Sequence, residues 1–528
     1  MSSSRTLFQT WIGQLVAVLL LWLLLCASFP GNRSESDDGY FYALALRDWS
    51  FDKLFLSKYL LYLPLARLLR QLLEAVAGPV DAYEFLRGLS ALAASVSLLQ
   101  FFRLLRTELG LTLERSWMGT IALFGCYGFW RYAVEAEVYA LAILCAVVWT
   151  RQALQLLALP AAGIGRWCLL GVLGGAIVLL YKPLVLISGL SFAAYILLFA
   201  AHKRLLLAYA VAACLVVGLG YFACYQGQTT HDSFWSFAME GTNRGLGNPL
   251  KSWLLLGANV VSSVFVYGLP AAGQQIAQWF PFNGIEEEVY LAQHHPVKAV
   301  LAAASLLGLT VCMLYAIVQA WRRRRSMHTA WRFFAGWVLL YGMVISFLDA
   351  DGIEPWLLVV PALVALLSLL FQPMDAGHGK RGTVVLWAAV TCLFVTNFIG
   401  GYLMVKRADG DYSQAIAAPV LARAHRQDYV LSFGSSNTLG YLRYYSPATI
   451  GVPEQAFAES IAAADSVLAA GGRVWLLADF MQPGAALRHR HESSWLAWLA
   501  WQAANGNRIK KYHAAADTFP LYELTLPR

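Results

Sequence analysis

The chain has 528 residues, 59% of them hydrophobic and only 13% charged, with a formal net charge of +8 at pH 7. A soluble domain carries about a quarter charged residues, and a soluble fold of this length cannot hide so much apolar surface, so the second solvent is lipid. The basic residues form no stripe suited to nucleic acid; they sit in clusters between apolar runs (Arg103 and Arg106, His202-Lys203-Arg204, Arg322 to Arg325, Lys380-Arg381), where the positive-inside rule leaves them.

A bilayer core about 30 Å thick takes roughly 20 apolar residues of helix. The apolar runs at 11–28, 84–105, 116–133, 138–157, 166–181, 183–201, 205–223, 298–320, 329–348, 355–371 and 382–402 predict a polytopic α-helical membrane protein of about 11 spans. The first run follows Arg5 like a signal sequence but is longer than a cleavable one, and reads as an uncleaved helix. With a cytoplasmic N-terminus every basic cluster falls inside, and odd parity places the C-terminus outside. Residues 252–272 could also span, but would then move the Arg322 to Arg325 cluster outward. Carrying Asn259, Ser262, Ser263, Gly268 and Pro270, this run reads as re-entrant or surface-lying. The outer segments are then 29–83, 224–297 and the turn 349–354, and the stretch 52–75, with Lys53, Lys58, Arg67 and Arg70 among its apolar residues, reads as an amphipathic helix on the membrane.

From Leu403 the composition changes. Residues 428–433, 473–477 and 519–526 read as strands, and 456–470 and 493–504 as helices. The expected organisation is a transmembrane domain over 1–402 and a small extracytoplasmic α/β domain over 403–528. The eight cysteines all precede residue 403, in or beside apolar runs, and read as buried hydrophobes rather than a disulfide framework or metal cluster.

Three acidic turns fall on the outer side. The first loop carries Asp37-Asp38-Gly39-Tyr40-Phe41-Tyr42-Ala43, the second Glu135-Ala136-Glu137-Val138-Tyr139, and the turn between the ninth and tenth spans Asp349-Ala350-Asp351-Gly352-Ile353-Glu354. Acids in a loop are ordinarily solvated, and Arg131 offers a plain neutralising partner for Glu135 or Glu137. Carboxylates at an apolar boundary are nevertheless costly unless paired, hydrated or metal-bound. Three such turns on one face could supply oxygen ligands for a divalent cation and a general base. The same side offers Lys182, between two apolar spans, and His231, Arg244 and Lys251 in the large outer loop. These could meet a phosphate, while for Lys182 the plain alternative is an interfacial lysine reaching for water.

These motifs, in this order and on this side, resemble the GT-C superfamily of polyprenyl-phosphate-sugar-dependent glycosyltransferases. The likeness rests on Asp37 to Ala43, on Glu135 to Leu141, and on Glu354-Pro355-Trp356-Leu357-Leu358 with Pro361, similar to the late turn of aminoarabinose and protein mannosyl transferases. Asp428 to Thr438 resembles the extracytoplasmic α/β domain of bacterial relatives of lumenal O-mannosyltransferases. The late turn lacks the histidine or arginine often found there, and no His-Pro pair follows the first loop. The resemblance implies an inverting transferase of a bacterial inner membrane, working at the outer face. Asp38, or its neighbour Asp37, would be the base; Tyr42-Ala43 follows Asp38 as Tyr-Ala follows the family's catalytic aspartate. Glu135 and Glu137 would orient the acceptor or, Glu137 together with Asp37, hold a divalent cation (Mg, Mn or Zn), although some members need no metal. Lys182, Arg244, His231 and Lys251 would meet the donor phosphate, beside the late acids Asp349, Asp351 and Glu354. The implied partners are a polyprenyl-phosphate-linked sugar donor, a lipid, glycan or protein acceptor, and membrane lipids. The rival readings are a transporter, which would carry ionisable groups near the bilayer midplane, a ligase or polymerase of lipid-linked glycans, and a membrane scaffold whose C-terminal α/β domain binds a partner.

Overall fold

The computed structural model describes residues 11–33, 37–159, 162–199, 203–226, 233–240, 250, 253, 296–323, 330–348, 354–370, 379–407, 411–433, 436–453, 456–483, 492–512 and 519–526. The helices of the first three-quarters are α1 (Trp11–Ala27), α2 (Asp37–Asp48), α3 (Tyr62–Ala77), α4 (Ala82–Arg103), α5 (Leu113–Gly125), α6 (Tyr127–Ala133), α7 (Tyr139–Leu157), α8 (Ile164–Leu180), α9 (Phe192–Phe199), α10 (Lys203–Tyr225), α11 (Phe234–Met239), α12 (Pro296–Arg323), α13 (Ala330–Leu348), α14 (Val360–Leu370) and α15 (Gly379–Asn397). Over their described residues the apolar runs predicted to span are mainly helical. Among the described residues, six helices are long and apolar enough to cross a membrane, and four more apolar helices are shorter. The predicted span 116–133 is interrupted at Cys126, whose extended backbone separates α5 from α6. The run 252–272 lies outside the described residues apart from Trp253.

The chain divides into two compact units, Met1–Phe29 with Leu44–Phe265 and Leu301–Gly401, and Pro30–Ala43 with Val266–Val300 and Tyr402–Arg528. In the first unit, contacts along α1 orient the bundle. At one end of α1, Arg103 donates to Gln14. Midway, Trp22 Nε1 donates to Gly88 O (3.0 Å). At the other end, the Arg87 guanidinium lies 4.0 Å from the Phe29 ring centre, and Trp130 Nε1 donates to Ser28 Oγ (3.1 Å). The basic cluster at 103–106 and the acidic turn after α6 therefore sit at opposite ends of α1. Helices α8 and α10 pack closely because α8 offers glycines: a Cβ at Gly175 would stand 2.8 Å from Ala213 O. Small residues let backbones approach where lipid supplies no hydrophobic drive.

The amphipathic stretch starts later than predicted, at Tyr62. Residues 51–54 and 57–59 form short turns, the Tyr221 hydroxyl donating to Ser57 O (2.7 Å). On α3, Leu65, Leu68, Leu69, Leu72, Leu73 and Val76 are exposed. Arg67 is spent on carbonyls 46 and 49 at the end of α2, and Arg70 on Val80 O and Glu74.

The second unit holds a five-stranded sheet of order β2-β1-β3-β5-β4. In chain order its elements are α16 (Tyr412–Leu421), β1 (Tyr429–Leu431), α17 (Ser436–Tyr445), β2 (Thr449–Gly451), α18 (Phe457–Ala469), β3 (Val474–Leu476), α19 (Glu492–Asn505), β4 (Ile509–Tyr512) and β5 (Leu521–Leu524). The first three strands of the order are parallel; β5 runs antiparallel to both β3 and β4. Successive side chains of a strand face opposite ways. Tyr429, Leu431, Val474 and Leu476 pack with Ala464 and Leu468 of α18 and Trp498 and Trp501 of α19. Val430 and Trp475 pack with Ile416 and Val420 of α16 and Leu442 of α17. The sheet is thus covered on both faces, and β1, β3 and β5 lie where apolar runs predict strands. The edge strands β2 and β4 went unrecognised because an edge needs no continuous apolar run: β4 is Ile-Lys-Lys-Tyr.

Candidate active site

The acidic turn between α6 and α7 is stitched to one face of α4. Arg131, in the last turn of α6, pairs with Glu135 at 2.8 Å, both side chains fully buried. The other Glu135 oxygen, Oε2, accepts from the Tyr83 hydroxyl (2.8 Å). Arg87 Nε donates to Val134 O (3.0 Å), and Ser90 Oγ donates to Glu137 O (2.8 Å). Within the turn, Glu137 N donates to Glu135 O (2.9 Å), and the Glu137 side chain is 1% exposed. Tyr83, Arg87 and Ser90 stand at i, i+4 and i+7, one helix face. Sequence reasoning passed over them, although a polar stripe at that spacing in an apolar helix is a legible signal.

The next residues gather two further predicted turns. The Tyr139 hydroxyl donates to Glu354 Oε2 (3.1 Å), joining the second acidic turn to the late one. Its ring meets Tyr132 edge-on (5.4 Å between centres) and Tyr181 likewise (5.7 Å), and Tyr181 stacks on Tyr59 (5.8 Å). Lys182 follows Tyr181. Its Nζ donates to Ala238 O (2.7 Å), with Glu240 O at 3.5 Å, so its ammonium is engaged by the backbone at the end of α11. The Tyr341 hydroxyl donates to Pro355 O (2.7 Å), holding the late turn against α13. Glu135, Glu137, Lys182 and Glu354 are therefore brought together around Tyr139 within the first unit.

Asp38 belongs to the second unit. It lies in the first turn of α2 and accepts from the Tyr42 hydroxyl one turn later, Oδ2 at 2.9 Å. Asp349, Asp351, His231, Arg244 and Lys251, and the side chain of Asp37, lie outside the described residues. Among the described residues no group of three His, Cys, Asp or Glu could hold a metal ion. Glu135 spends its oxygens on Arg131 and Tyr83. Of the two residues the resemblance implies as cation ligands, Glu137 is 1% exposed and the side chain of Asp37 lies outside the described residues.

No protein-family model matches the sequence, and no curated protein matches it. Solved structures do. The chain is similar to ArnT from Cupriavidus metallidurans bound to undecaprenyl phosphate, at 12% identity and a TM-score of 0.57, over 98% of this chain and 100% of that one. It is similar to the Archaeoglobus fulgidus oligosaccharyltransferase in complex with Zn and sulfate (14% identity, TM-score 0.51, 96% of this chain, 72% of that one). It also resembles the mycobacterial arabinofuranosyltransferase AftD (14% identity, TM-score 0.50, 98% of this chain, 40% of that one). All three are GT-C glycosyltransferases. The chain has the GT-C fold, with a small α/β sheet at its C-terminal end. It is an integral, multi-pass membrane protein.

Proposed function

We propose that this chain is an inverting glycosyltransferase that moves a sugar from a polyprenyl-phosphate donor to an acceptor hydroxyl or amine at the outer face of a bacterial inner membrane. The observation that carries the reading is the end-to-end likeness to a GT-C structure that holds undecaprenyl phosphate. Beside it stands a constellation of carboxylates, tyrosines and a lysine at the end of the bundle opposite the 103–106 basic cluster, Glu135 and Glu137 buried, Lys182 and Glu354 half-buried.

In this reading Asp38 takes the acceptor's proton as the acceptor atom attacks the anomeric carbon from the face opposite the phosphate. The bond between that carbon and the phosphate oxygen breaks, and polyprenyl phosphate leaves with the bond's electrons. Tyr42, by donating to Asp38 Oδ2, holds the carboxylate's rotamer. Negative charge grows on the departing phosphate, where preorganised donors contribute most. The cations for this are Lys182 and, from the large outer loop, His231, Arg244 and Lys251. Glu137 and Glu354 orient the acceptor, whereas Glu135 holds the turn through Arg131. The C-terminal α/β domain is periplasmic.

The test is transfer by the purified protein in lipid nanodiscs, from a synthetic polyprenyl-phosphate sugar. Asp38→Asn keeps the side chain's shape and removes the base, so kcat should fall about 100- to 10,000-fold, the range of general-base catalysis. Donor binding should remain. Undiminished transfer by that variant would refute the assignment.

A further inference from the structure

The segment that leads into Asp38 and the helix that carries it are gripped by the C-terminal part of the chain, within the second unit. Gly31 N donates to Lys406 O and Asn32 N to Val405 O, both at 3.0 Å. Arg33 N donates to Asp411 Oδ2 (2.7 Å), and Arg33 Nη1 donates to the Tyr445 hydroxyl (2.8 Å). Asp411 is 1% exposed, and its other oxygen caps α16 by accepting from Gln414 N (2.8 Å). Past Asp38, the buried Tyr40 ring sits among three tyrosines of α17: Tyr441 edge-on at 5.5 Å, Tyr444 at 5.9 Å and Tyr445 at 6.0 Å. Those rings brace each other, Tyr441 with Tyr445 at 4.7 Å and Tyr444 with Tyr445 at 4.9 Å.

Helix geometry gives this grip a direction. Residues two apart on an α-helix differ by about 200°. Tyr40 therefore occupies the face of α2 opposite Asp38, while Asp38 and Tyr42, four apart, share theirs. The tyrosines of α17 hold the face of the helix opposite Asp38.

We infer that the C-terminal α/β domain positions the candidate base. Arg33, Asp411 and the Tyr40–Tyr441–Tyr444–Tyr445 cluster are positioning residues that set where Asp38 stands. The inference rests on the proposed role of Asp38, but its physical content, that α17 and Asp411 order residues 37–43, can be read without turnover. Misplacing a catalytic group by about 1 Å can cost about 100-fold in rate.

The experiment compares the full chain in nanodiscs with Tyr441→Ala/Tyr445→Ala, Tyr441→Phe/Tyr445→Phe and Asp411→Asn variants. It measures kcat, KM for donor and acceptor, and hydrogen exchange of peptides covering 37–43, 429–431 and 474–476. The alanine pair should lower kcat roughly 10- to 100-fold with both KM values unchanged. Exchange over 37–43 should speed up while the two strands stay protected. The phenylalanine pair keeps the rings and should restore kcat to within a few-fold. A wild-type kcat in the alanine pair, or a raised acceptor KM at unchanged kcat, overturns the inference; the second outcome would make the cluster an acceptor surface. Should the strands of the alanine pair also lose protection, Asp411→Asn decides, since it changes one acceptor atom: faster exchange over 37–43 supports the grip, and unchanged exchange refutes it. An active Asp38→Asn protein would remove the base assignment and leave the exchange result standing by itself.

Discussion

Replacing Arg131 by Met tests whether Glu135 is structural. The variant keeps the stem of the side chain and removes the guanidinium, leaving a fully buried carboxylate with the Tyr83 hydroxyl as its remaining hydrogen-bond donor among those described above. At 2.8 Å and an effective dielectric of about 20, the pair attraction is about 6 kcal/mol. Desolvation offsets most of it when both partners are removed, but not when one is left behind. Breaking a buried pair at one end typically costs about 3–5 kcal/mol, while replacing both ends is often nearly neutral. Arg131→Met should therefore lower unfolding free energy by about 3–5 kcal/mol. Arg131→Met/Glu135→Gln should recover most of that, since glutamine still accepts from Tyr83. Denaturant titration in mixed micelles, run as a double-mutant cycle with Glu135→Gln alone, measures the coupling. A loss below about 1 kcal/mol in the single variant, the cost of an exposed pair, would refute the reasoning. So would a double variant no more stable than the single one. Either result would return Glu135 to the acceptor-orienting role that the resemblance implies.

Tyr139→Phe keeps the ring contacts with Tyr132 and Tyr181 but removes the donor to Glu354. It should cost about 1.5–3 kcal/mol, the range for a hydrogen bond to a charged group, and slow transfer; unchanged stability would mean the two turns are not held together this way. Gly175→Ala places a methyl 2.8 Å from Ala213 O. It should force α8 from α10 at a cost of about 1–3 kcal/mol in the same titration, whereas a neutral result would deny the close approach. In the α/β domain, burial pushes the Asp479 carboxyl up to about 6, against hydrogen bonds from Ser432 and Phe480 N that pull the other way. Its value in the unfolded chain is 3.8, so between about pH 4 and 6 the folded domain binds more protons and stability falls as pH rises. The loss should approach about 3 kcal/mol by neutral pH, at 1.36 kcal/mol per unit. Hydrogen exchange over 474–481, corrected for intrinsic rates, should follow it, and a flat profile would contradict it.

Much of this protein was decided by local pattern. Apolar runs of span length announce helices because a backbone in lipid must satisfy its own hydrogen bonds. The strands at 429–431 and 474–476 announce themselves because a central strand covered on both faces must be apolar throughout. The acidic turns at 135–137 and 354 could be placed on one side from the distribution of basic residues alone, and Tyr139 does join them. Even the helix of residues 62–77 shows in the spacing of its leucines, because period and burial are properties of neighbours in the chain.

What tertiary structure alone decided is partnership between residues far apart in the chain. Sequence spacing left Arg131 free to neutralise either glutamate; the fold pairs it with Glu135 because Tyr83 of α4 comes to that carboxylate's other oxygen. Lys182 donates to the carbonyl of Ala238, a partner 56 positions away that spacing did not indicate. The residues before and around Asp38 belong with the C-terminal unit, though more than 350 positions separate Arg33 from its partner Asp411. A hydrogen bond across such a distance leaves no periodic mark in the sequence. Its partners are selected by burial and geometry, and those exist only once the chain has folded.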